Sequence, residues 1–361
     1  MKLQSSTHQQ SGIALIIVMI AVVSLTILAG GFAYSMKVET RLAMNSNNDA
    51  EMEWLGRSGV ELAKYVLGLQ SSVPGEPYDS LNQIWAGGPG TMAISNSPLA
   101  SVSMKDVPLG NGTITIDRIV DLERKININT ASENLLEQVL VGVGADAGNH
   151  LAIVGSIRDW IDTDNAQHPE GAEEDFYQTM EPPYFPKNGP MDDLSELLLV
   201  RGMTPELYWG GEIAERQPSR MGYGSGRELG LQDSPSLGVG LVELFTPLSS
   251  GRVNINTAPI SVLQVLPLMD ERIAAEIVRL RSGPDGADGT EDDIPLRNVG
   301  EVVNAGVPPQ IVQQLGQYCD VRSRTFEVHI KTQIGSYTRE YIAVVGRRDP
   351  RNLETLSFRA K

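Results

Sequence analysis

The most continuous hydrophobic pattern in the chain is one apolar segment near the amino terminus. Residues 13–35 carry no charged side chain, and a short polar leader that ends at Gly12 precedes them. The apolar part, residues 13–33, spans roughly 31 Å at ~1.5 Å per residue, against a hydrocarbon core of about 30 Å. No comparable run occurs again. The pattern predicts one membrane-spanning helix followed by a large polar region on one side of the membrane.

Helical spacing continues beyond this span. Apolar residues recur at steps of four and three from Leu55 to Leu69, which is typical of one face of an α-helix. Residues 72–80 contain two prolines and a glycine, which end a helix. We therefore predict a single long helix, half in the membrane and half packed on a soluble domain.

Alternation with a period of two predicts strands near both ends of the remaining chain. Val102 and Met104 alternate before a glycine-rich turn, and Ile114 and Ile116 alternate after it. Residues 326–334 alternate apolar with polar positions, and the following glycine and serine suit a two-residue hairpin turn. A long helix beside an antiparallel sheet drawn from both ends is an α+β fold.

A helical block, roughly residues 126–320, lies between the two groups of strands and contains an internal repeat. Residues 126–131 (Ile-Asn-Ile-Asn-Thr-Ala) recur as residues 253–258 (Val-Asn-Ile-Asn-Thr-Ala), and each copy precedes a short amphipathic segment. The spacing predicts that Thr130 and Thr257 cap the helices that follow.

Composition narrows the class of protein. The formal net charge of −16 opposes binding to nucleic acid and to anionic lipid surfaces. Cys319 is the only cysteine, so no internal disulfide can form, and burial as a small hydrophobic side chain is favoured over nucleophilic chemistry. The four histidines are too scattered to predict a triad or a metal site, and nothing indicates an enzyme. Residues 217–240 are rich in glycine and serine without a period, which predicts a mobile linker or a lid.

Two acidic segments are candidates for binding metal. Residues 159–193 contain ten carboxylates and one basic residue, and residues 285–293 contain five carboxylates with no base to offset them. Calcium takes six to eight oxygen ligands in flexible geometry and suits such turns, although neither segment has EF-hand spacing. A solvated acidic loop is the alternative, but the density of like charge favours a cation. In the second segment the candidate ligands are Asp285, Asp288, Glu291, Asp292 and Asp293.

The repeated segments are also similar to helix-hairpin-helix elements, which hold phosphate through backbone amides helped by glycines. The first copy has Gly142-Val143-Gly144, whereas the second has no glycine at the corresponding place. Together with the acidity, this argues against DNA binding. The similarity nevertheless leaves one alternative function, a membrane-anchored periplasmic helix-hairpin-helix DNA-binding protein of a competence or type IV pilus system.

Several short motifs occur in one order over most of the chain. In sequence they are Gly12-Ile13-Ala14-Leu15-Ile16-Ile17-Val18, Lys125–Ala131, Asp159–Asp164, Gly171–Tyr177, Glu196-Leu197, Val200-Arg201-Gly202 and Gly251–Ala258. Together they resemble the general secretion pathway protein K family, the minor pseudopilins K of type II secretion systems. The set is more specific than the leader alone, which any type IV pilin-like protein could carry.

The resemblance implies a pilin-like sheet packed on the long helix, with a large helical domain inserted between the strands. A prepilin peptidase would cut after Gly12 and methylate the new terminus at Ile13, although Ser11 replaces the usual basic residue beside the cut. A cleaved secretory signal and an uncleaved anchor are the alternatives. The family's helical domain binds calcium, and in the first segment the candidate ligands are then Asp162, Asp164, Glu173, Glu174 and Asp175.

The domain organisation that follows places the soluble part in the periplasm and the single span in the bacterial inner membrane. The units are a leader (1–12), a transmembrane helix (13–35), the first part of a pilin-like domain (36–125), an inserted helical domain with the first acidic segment and the linker (126–245), a second Asn-Thr-Ala helical segment with the second acidic loop (246–320), and the C-terminal pilin-like strands (321–361).

The fifth residue of the mature chain bears on assembly. Most pilin-like subunits carry glutamate there and this family does not; here the residue is Ile17. A carboxylate at that depth costs on the order of 3 kcal/mol unless a partner neutralises it. The resemblance therefore implies a subunit at the tip of a pseudopilus, with pseudopilins of the I, J and H types as partners and no subunit above.

Overall fold

In the computed structural model, the described residues are 10–91, 97–211 and 237–361. Most of the leader, residues 1–9, and residues 217–236 of the predicted linker lie outside them. The helices are α1 (Gln10–Gln70), α2 (Glu133–Gly142), α3 (His150–Ile161), α4 (Glu174–Tyr177), α5 (Pro205–Trp209), α6 (Leu241–Leu244), α7 (Ile260–Leu263), α8 (Glu271–Arg281) and α9 (Pro309–Leu315). The strands are β1 (Val107–Leu109), β2 (Gly112–Asp121), β3 (Ile126–Asn127), β4 (Phe245–Thr246), β5 (Val253–Asn254), β6 (Cys319–Asp320), β7 (Thr325–Ile334), β8 (Tyr337–Asp349) and β9 (Asn352–Ala360).

The single long helix is confirmed as α1, which runs unbroken for 61 residues. Within the described residues, it contains the one segment long and apolar enough to cross a membrane, judged by length and composition. Its carboxyl-terminal part packs on the sheet, and a Cβ at Gly59 would lie 2.7 Å from the Ile330 side chain. Glycine is therefore needed where the helix approaches the sheet most closely.

The sheet is antiparallel in the order β1-β2-β7-β8-β9, so its strands come from both sides of the helical block, as predicted. The turn between β7 and β8 is the predicted two-residue hairpin, with Gly335 at φ 57°. The predicted strand at Val102 and Met104 is wrong, because β1 begins only at Val107. Asp106 has φ 51°, a left-handed conformation that interrupts an extended chain.

The protein has two separate hydrophobic cores among the described residues. One packs α1 against β2, β7 and β8. The other fills the helical block, with fully buried Ile128 and Leu136 in the first repeat and Ile255 and Leu263 in the second. The molecule is therefore α+β, with a helix-on-sheet layer and a separate helical domain.

The two copies of the repeated motif are built alike. In the first copy Asn129 forms two hydrogen bonds with the backbone of Met191, at 2.7 and 3.0 Å. In the second copy Asn256 does the same with Leu296, at 2.9 Å for both bonds. Each copy also begins a two-stranded parallel pair, β3 with β4 and β5 with β6. Asn129 thus fastens the chain near the end of the first acidic segment, and Asn256 fastens the chain just after the second.

The predicted helix caps are wrong in both copies. Ser132, rather than Thr130, caps α2, since its Oγ accepts a hydrogen bond from the Leu135 amide. Thr257 is fully buried and its hydroxyl donates to Asp121 Oδ2 at 2.5 Å instead of capping α7. Proline at position 259 precedes that helix with no side-chain cap.

Buried polar groups join the sheet to the helical domain. Asp121, at the end of β2, accepts hydrogen bonds at Oδ2 from Thr257, from Ser323 (2.6 Å) and from Asn254 (3.2 Å). Asp79 pairs with the guanidinium of Arg347 and accepts from the Ser323 amide. Burial, with the charge of a neighbouring glutamate, raises the pKa of Asp121 to about 8.

Candidate metal centre

The first acidic segment folds into a compact loop at the carboxyl end of α3. Asp159, in the last turn of α3, has a fully buried side chain. Its Oδ1 accepts a hydrogen bond from the His168 amide at 2.8 Å and lies 2.7 Å from His168 Nδ1. Arg201 closes the loop from the other side, because its guanidinium donates to the carbonyls of Gly171 (3.0 Å) and Glu170 (3.3 Å).

Four carboxylate oxygens in this loop are buried without a hydrogen-bond partner. They are Asp159 Oδ2, Asp162 Oδ1 and both oxygens of Glu173. A buried carboxylate that is neither paired nor hydrogen-bonded is strongly disfavoured in proteins. These four oxygens are therefore free to bind a positively charged group.

Several negatively charged carboxylates lie close together in this loop. Burial, together with the carboxylates of Asp159, Asp162 and Asp164, raises the pKa of Glu173 to about 7. Burial and the charge of Asp164 also raise the pKa of Asp162. A cation among these oxygens would relieve both the burial and the mutual repulsion.

The chemistry of the donor set distinguishes between metals. Ligand atoms of Asp159, Asp162 and His168 lie within 4.8 Å of one another. Since His168 Nδ1 faces Asp159 Oδ1, the unsatisfied atoms of the loop are all carboxylate oxygens. Hard oxygen ligands suit calcium or magnesium rather than zinc, and calcium accepts the irregular geometry that a loop offers. The residues present fit a calcium ion.

Comparison with known proteins shows a similarity to one family in this part of the chain. Residues 115–209, which contain the whole loop, match the family model described as type II secretion system (T2SS), protein K. The chain is 28% identical over 214 residues to type II secretion system protein K of Aeromonas hydrophila, covering 56% of this chain and 62% of that protein. It is 22% identical over 214 residues to the protein K of Klebsiella pneumoniae, covering 56% and 60%.

The chain is similar to the type II secretion system protein K family over these residues. The matched part spans about 60% of the length of these two relatives. The fold also matches a solved structure, the crystal structure of the GspK-GspI-GspJ complex from enterotoxigenic Escherichia coli. The TM-score is 0.60 at 20% identity, and the match covers 88% of this chain and 99% of that chain. The predicted α+β fold of the protein K family is thereby confirmed.

The predicted ligands of the first acidic segment do not all lie together. Asp162 and Glu173 supply unsatisfied oxygens, and Asp164 contributes charge while its Oδ1 accepts from the Ala166 amide. Glu174 and Asp175 are exposed in the first turn of α4. Their candidacy, like the proposed cut between Gly12 and Ile13, stays a prediction.

Sequence reasoning missed Asp159 and His168. The histidines are too scattered along the sequence to predict a metal site, but His168 lies in one cluster with Asp159 and Asp162. One signal was available for Asp159, because it and Asp162 are three residues apart, a spacing that puts two side chains on the same side at the end of a helix. No local pattern indicates that His168, nine residues away, folds back.

The second acidic loop is satisfied in a different way. The expectation that no base offsets it is wrong, because Arg281 forms two bonds with Asp288, at 2.6 and 3.0 Å. Although burial opposes it, this guanidinium lowers the pKa of Asp288. Asp292 and Asp293 accept hydrogen bonds from the amides of Asp285 and Gly289. Glu291 stays a predicted ligand that no contact tests.

Proposed function

We propose that this chain is a minor pseudopilin at the tip of the type II secretion pseudopilus, where it helps to initiate assembly and to export folded proteins across the outer membrane. The observation that carries the proposal is the joining of a pilin-like layer to a bulky helical domain. The helix α1 runs from an apolar segment directly onto the sheet, and the helical domain is inserted between β2 and β7. Such a domain would block further subunits from stacking above.

The residue at the predicted fifth mature position supports a terminal place. Ile17 lies in the apolar part of α1 with 60% of its surface exposed. An acid there would need the amino terminus of a neighbouring subunit, since an unpaired carboxylate in a bilayer is costly. Isoleucine needs no such neighbour.

The proposed partners are minor pseudopilins of the I, J and H types, assembled as a hetero-oligomeric tip. The related solved structure is described as a complex of GspK, GspI and GspJ. A prepilin peptidase would process the leader, and the apolar segment would anchor the chain in the inner membrane with its remaining domains in the periplasm. The similarity to this family favours this role over the DNA-binding alternative, which the net charge of −16 also opposes.

We propose in addition that calcium binds the first acidic segment in a structural role. Asp159, Asp162 and Glu173 would hold the ion, which would supply the positive charge that their unsatisfied oxygens lack. His168 would keep Asp159 oriented. The ion would fasten the loop to the end of α3.

The functional proposal is tested with the full-length chain in membranes. The chain, expressed with I-type and J-type pseudopilins, should co-purify with both and should restore secretion to cells that lack protein K. Ile17→Glu should reduce secretion because it adds an unpaired acid, whereas Ile17→Leu should not. Failure of the wild-type chain both to co-purify and to restore secretion would contradict the proposal.

A further inference from the structure

A cleft, here called the sheet cleft, opens between the helical domain and the face of the sheet that α1 does not cover. Its volume is about 520 Å³. Ile342 and Val344 of β8 line it from the sheet, since side chains alternate along a strand and Ala343 between them lies in the core beneath α1. Tyr208 and Phe245 line it from the helical domain. A cleft of this size with an apolar floor is typical of a binding site for a small molecule or a short peptide.

Lys125, the residue before β3, brings a positive charge to the sheet cleft. Its Nζ donates a hydrogen bond to the carbonyl of Val242 at 2.8 Å, and both residues line the cleft. Among the described residues, no carboxylate forms an ion pair with this ammonium group. Burial, with the nearby guanidinium of Arg124, lowers the pKa of Lys125 more than the surrounding carboxylates raise it. An anion beside Lys125 would favour its charged form.

The other charged side chains of the sheet cleft already have partners. Its carboxylates are each held by a hydrogen-bonding or cationic side chain, and the pairs are Asp121 with Ser323 (2.6 Å), Asp192 with Lys187 (2.6 Å), Asp193 with Arg359 (3.6 Å) and Glu327 with His329 (2.7 Å). Of the two cations that line the cleft, Arg359 is therefore paired with a carboxylate and Lys125 is not.

The internal repeat shows what is missing beside Lys125. Arg252 occupies the equivalent place before the second copy of the motif, and its Nη1 lies 3.9 Å from Asp320 Oδ2. Asp320 of β6 and Thr246 of β4 occupy equivalent places in the two parallel strand pairs. The chain thus supplies a carboxylate in the second copy, whereas the first copy has threonine there and leaves its cation facing the cleft.

The walls of the sheet cleft indicate what carries the missing carboxylate. The apolar floor favours a carboxylate attached to apolar groups over an inorganic anion. Thr246 and Ser357 also line the cleft, and a fatty-acid chain would cover such polar groups without bonding to them. The amide groups of a peptide can bond to them instead. The end of a peptide chain combines a carboxylate, amide groups and apolar side chains.

We infer that the sheet cleft binds the carboxyl-terminal end of a peptide or protein chain whose last residues are apolar. The terminal carboxylate accepts a hydrogen bond from Lys125 Nζ, and the apolar side chains lie against Ile342, Val344 and Phe245. The inference goes beyond the proposed function and does not depend on it, because the site is formed by this chain alone.

Peptide binding to the full-length chain in lipid nanodiscs tests the inference. The probes are tripeptides of apolar residues that end in leucine, isoleucine or phenylalanine and carry a fluorophore at the amino terminus. Each is made with a free carboxylate and with a carboxamide in its place. Fluorescence anisotropy should show saturable binding of at least one free acid and at least about tenfold weaker binding of its amide, which cannot neutralise Lys125.

Three substitutions provide the second measurement. Lys125→Met should weaken binding of the free acid by about tenfold or more, because it removes the cation but keeps a long side chain. Arg252→Met, at the equivalent place in the second copy, is the matched control and should leave binding unchanged. Thr246→Asp supplies from the chain the carboxylate that the second copy already has, and it should weaken binding by about tenfold as well. Thermal unfolding checks that each variant is folded.

Several outcomes would overturn the inference. They are equal binding of acid and amide, no binding of any peptide, unchanged binding by Lys125→Met, and equal weakening by Lys125→Met and Arg252→Met. The comparison of acid with amide uses the wild-type chain, so it decides the case even where a variant does not fold. If dodecanoate binds in a way that depends on Lys125 and no peptide does, the occupant is a fatty acid and the inference is wrong. None of these results changes co-purification with pseudopilins, so the proposed function is judged separately.

Discussion

The two acidic segments follow equivalent parts of the two repeats, yet their carboxylates differ in what neutralises them. In the first segment, Asp159, Asp162 and Glu173 keep four buried oxygens without a partner. In the second, Asp288 is bound by Arg281, and Asp292 and Asp293 accept from backbone amides of their own loop. The first segment keeps carboxylates for which we propose a cation from outside, whereas the second is largely satisfied by the chain itself.

The difference teaches that a run of carboxylates does not by itself define a metal site. What distinguishes the segments is a single guanidinium from the preceding helix. Arg281 is only 3% exposed, and it also donates to the carbonyls of Ile255 and Ala258 at 2.6 and 2.8 Å. An internal cation thus fills in the second repeat the role proposed for calcium in the first.

Removing the internal cation should have the largest effect. Arg281→Met leaves Asp288 and two carbonyls without their donor and should lower the free energy of unfolding by about 3–5 kcal/mol, measured by urea denaturation. Added calcium should then stabilise the variant more than the wild type, because the freed carboxylate can bind it.

The control for this change is Arg279→Met on the same helix. Arg279 is 69% exposed and pairs with Glu276 at the surface, so its loss should cost less than about 0.5 kcal/mol. Equal destabilisation by both variants would show that Arg281 does not neutralise the second loop in the way described.

The first segment should depend on added metal. At a calcium concentration ~100 times the dissociation constant, binding should stabilise the protein by about 2.7 kcal/mol, seen as a higher midpoint of thermal unfolding than in chelator. Glu173→Gln should lose most of this gain because it removes a charged ligand. Glu174→Gln, at an exposed position, should keep it. A full calcium response in Glu173→Gln would place the ion elsewhere.

The asparagines that fasten each repeat provide a finer comparison. Asn256→Ala leaves both backbone groups of Leu296 unpaired in a buried place and should cost about 2 kcal/mol, whereas Asn129→Ala, at a half-buried position, should cost about 1 kcal/mol. Chemical unfolding measures both. A larger loss at Asn129 would mean that the first repeat relies on its asparagine more than burial suggests.

The junction between the domains should show its effect as a pH dependence. Because the pKa of Asp121 is raised to about 8 from its usual 3.8, the folded protein keeps a proton that the unfolded chain releases. The free energy of unfolding should therefore fall as the pH rises from about 4 to about 8. Asp121→Asn should flatten this decline, and Asp117→Asn, exposed on the same strand, should not. Parallel pH profiles for the wild type and Asp121→Asn would contradict the assignment.

Sequence patterns predicted the parts of the fold that depend on local periodicity. The length of α1 and the hairpin at Gly335 follow from repeated spacing within one segment, and both are confirmed. Contacts between distant residues were not predictable. Thr257 was expected to cap a helix, but it bonds to Asp121, which is 136 residues away.

For the candidate metal site, too, the sequence predicted some features and missed those that depend on contacts between distant residues. The density of acids marked the first segment, because charge is visible in the sequence, and the family resemblance then implied Asp162 and Glu173 among its ligands. The bond of His168 to Asp159 depends on the closure of a loop, and the pairing of Arg281 with Asp288 depends on how a helix meets the next loop. Neither has a periodic signature.

The central claim, that the chain is a processed pseudopilin, is tested most directly by the mass and amino-terminal sequence of the protein isolated from its native membrane. The account predicts a chain that begins at Ile13 with a methylated amino group. A protein that still carries Met1–Gly12 would contradict it.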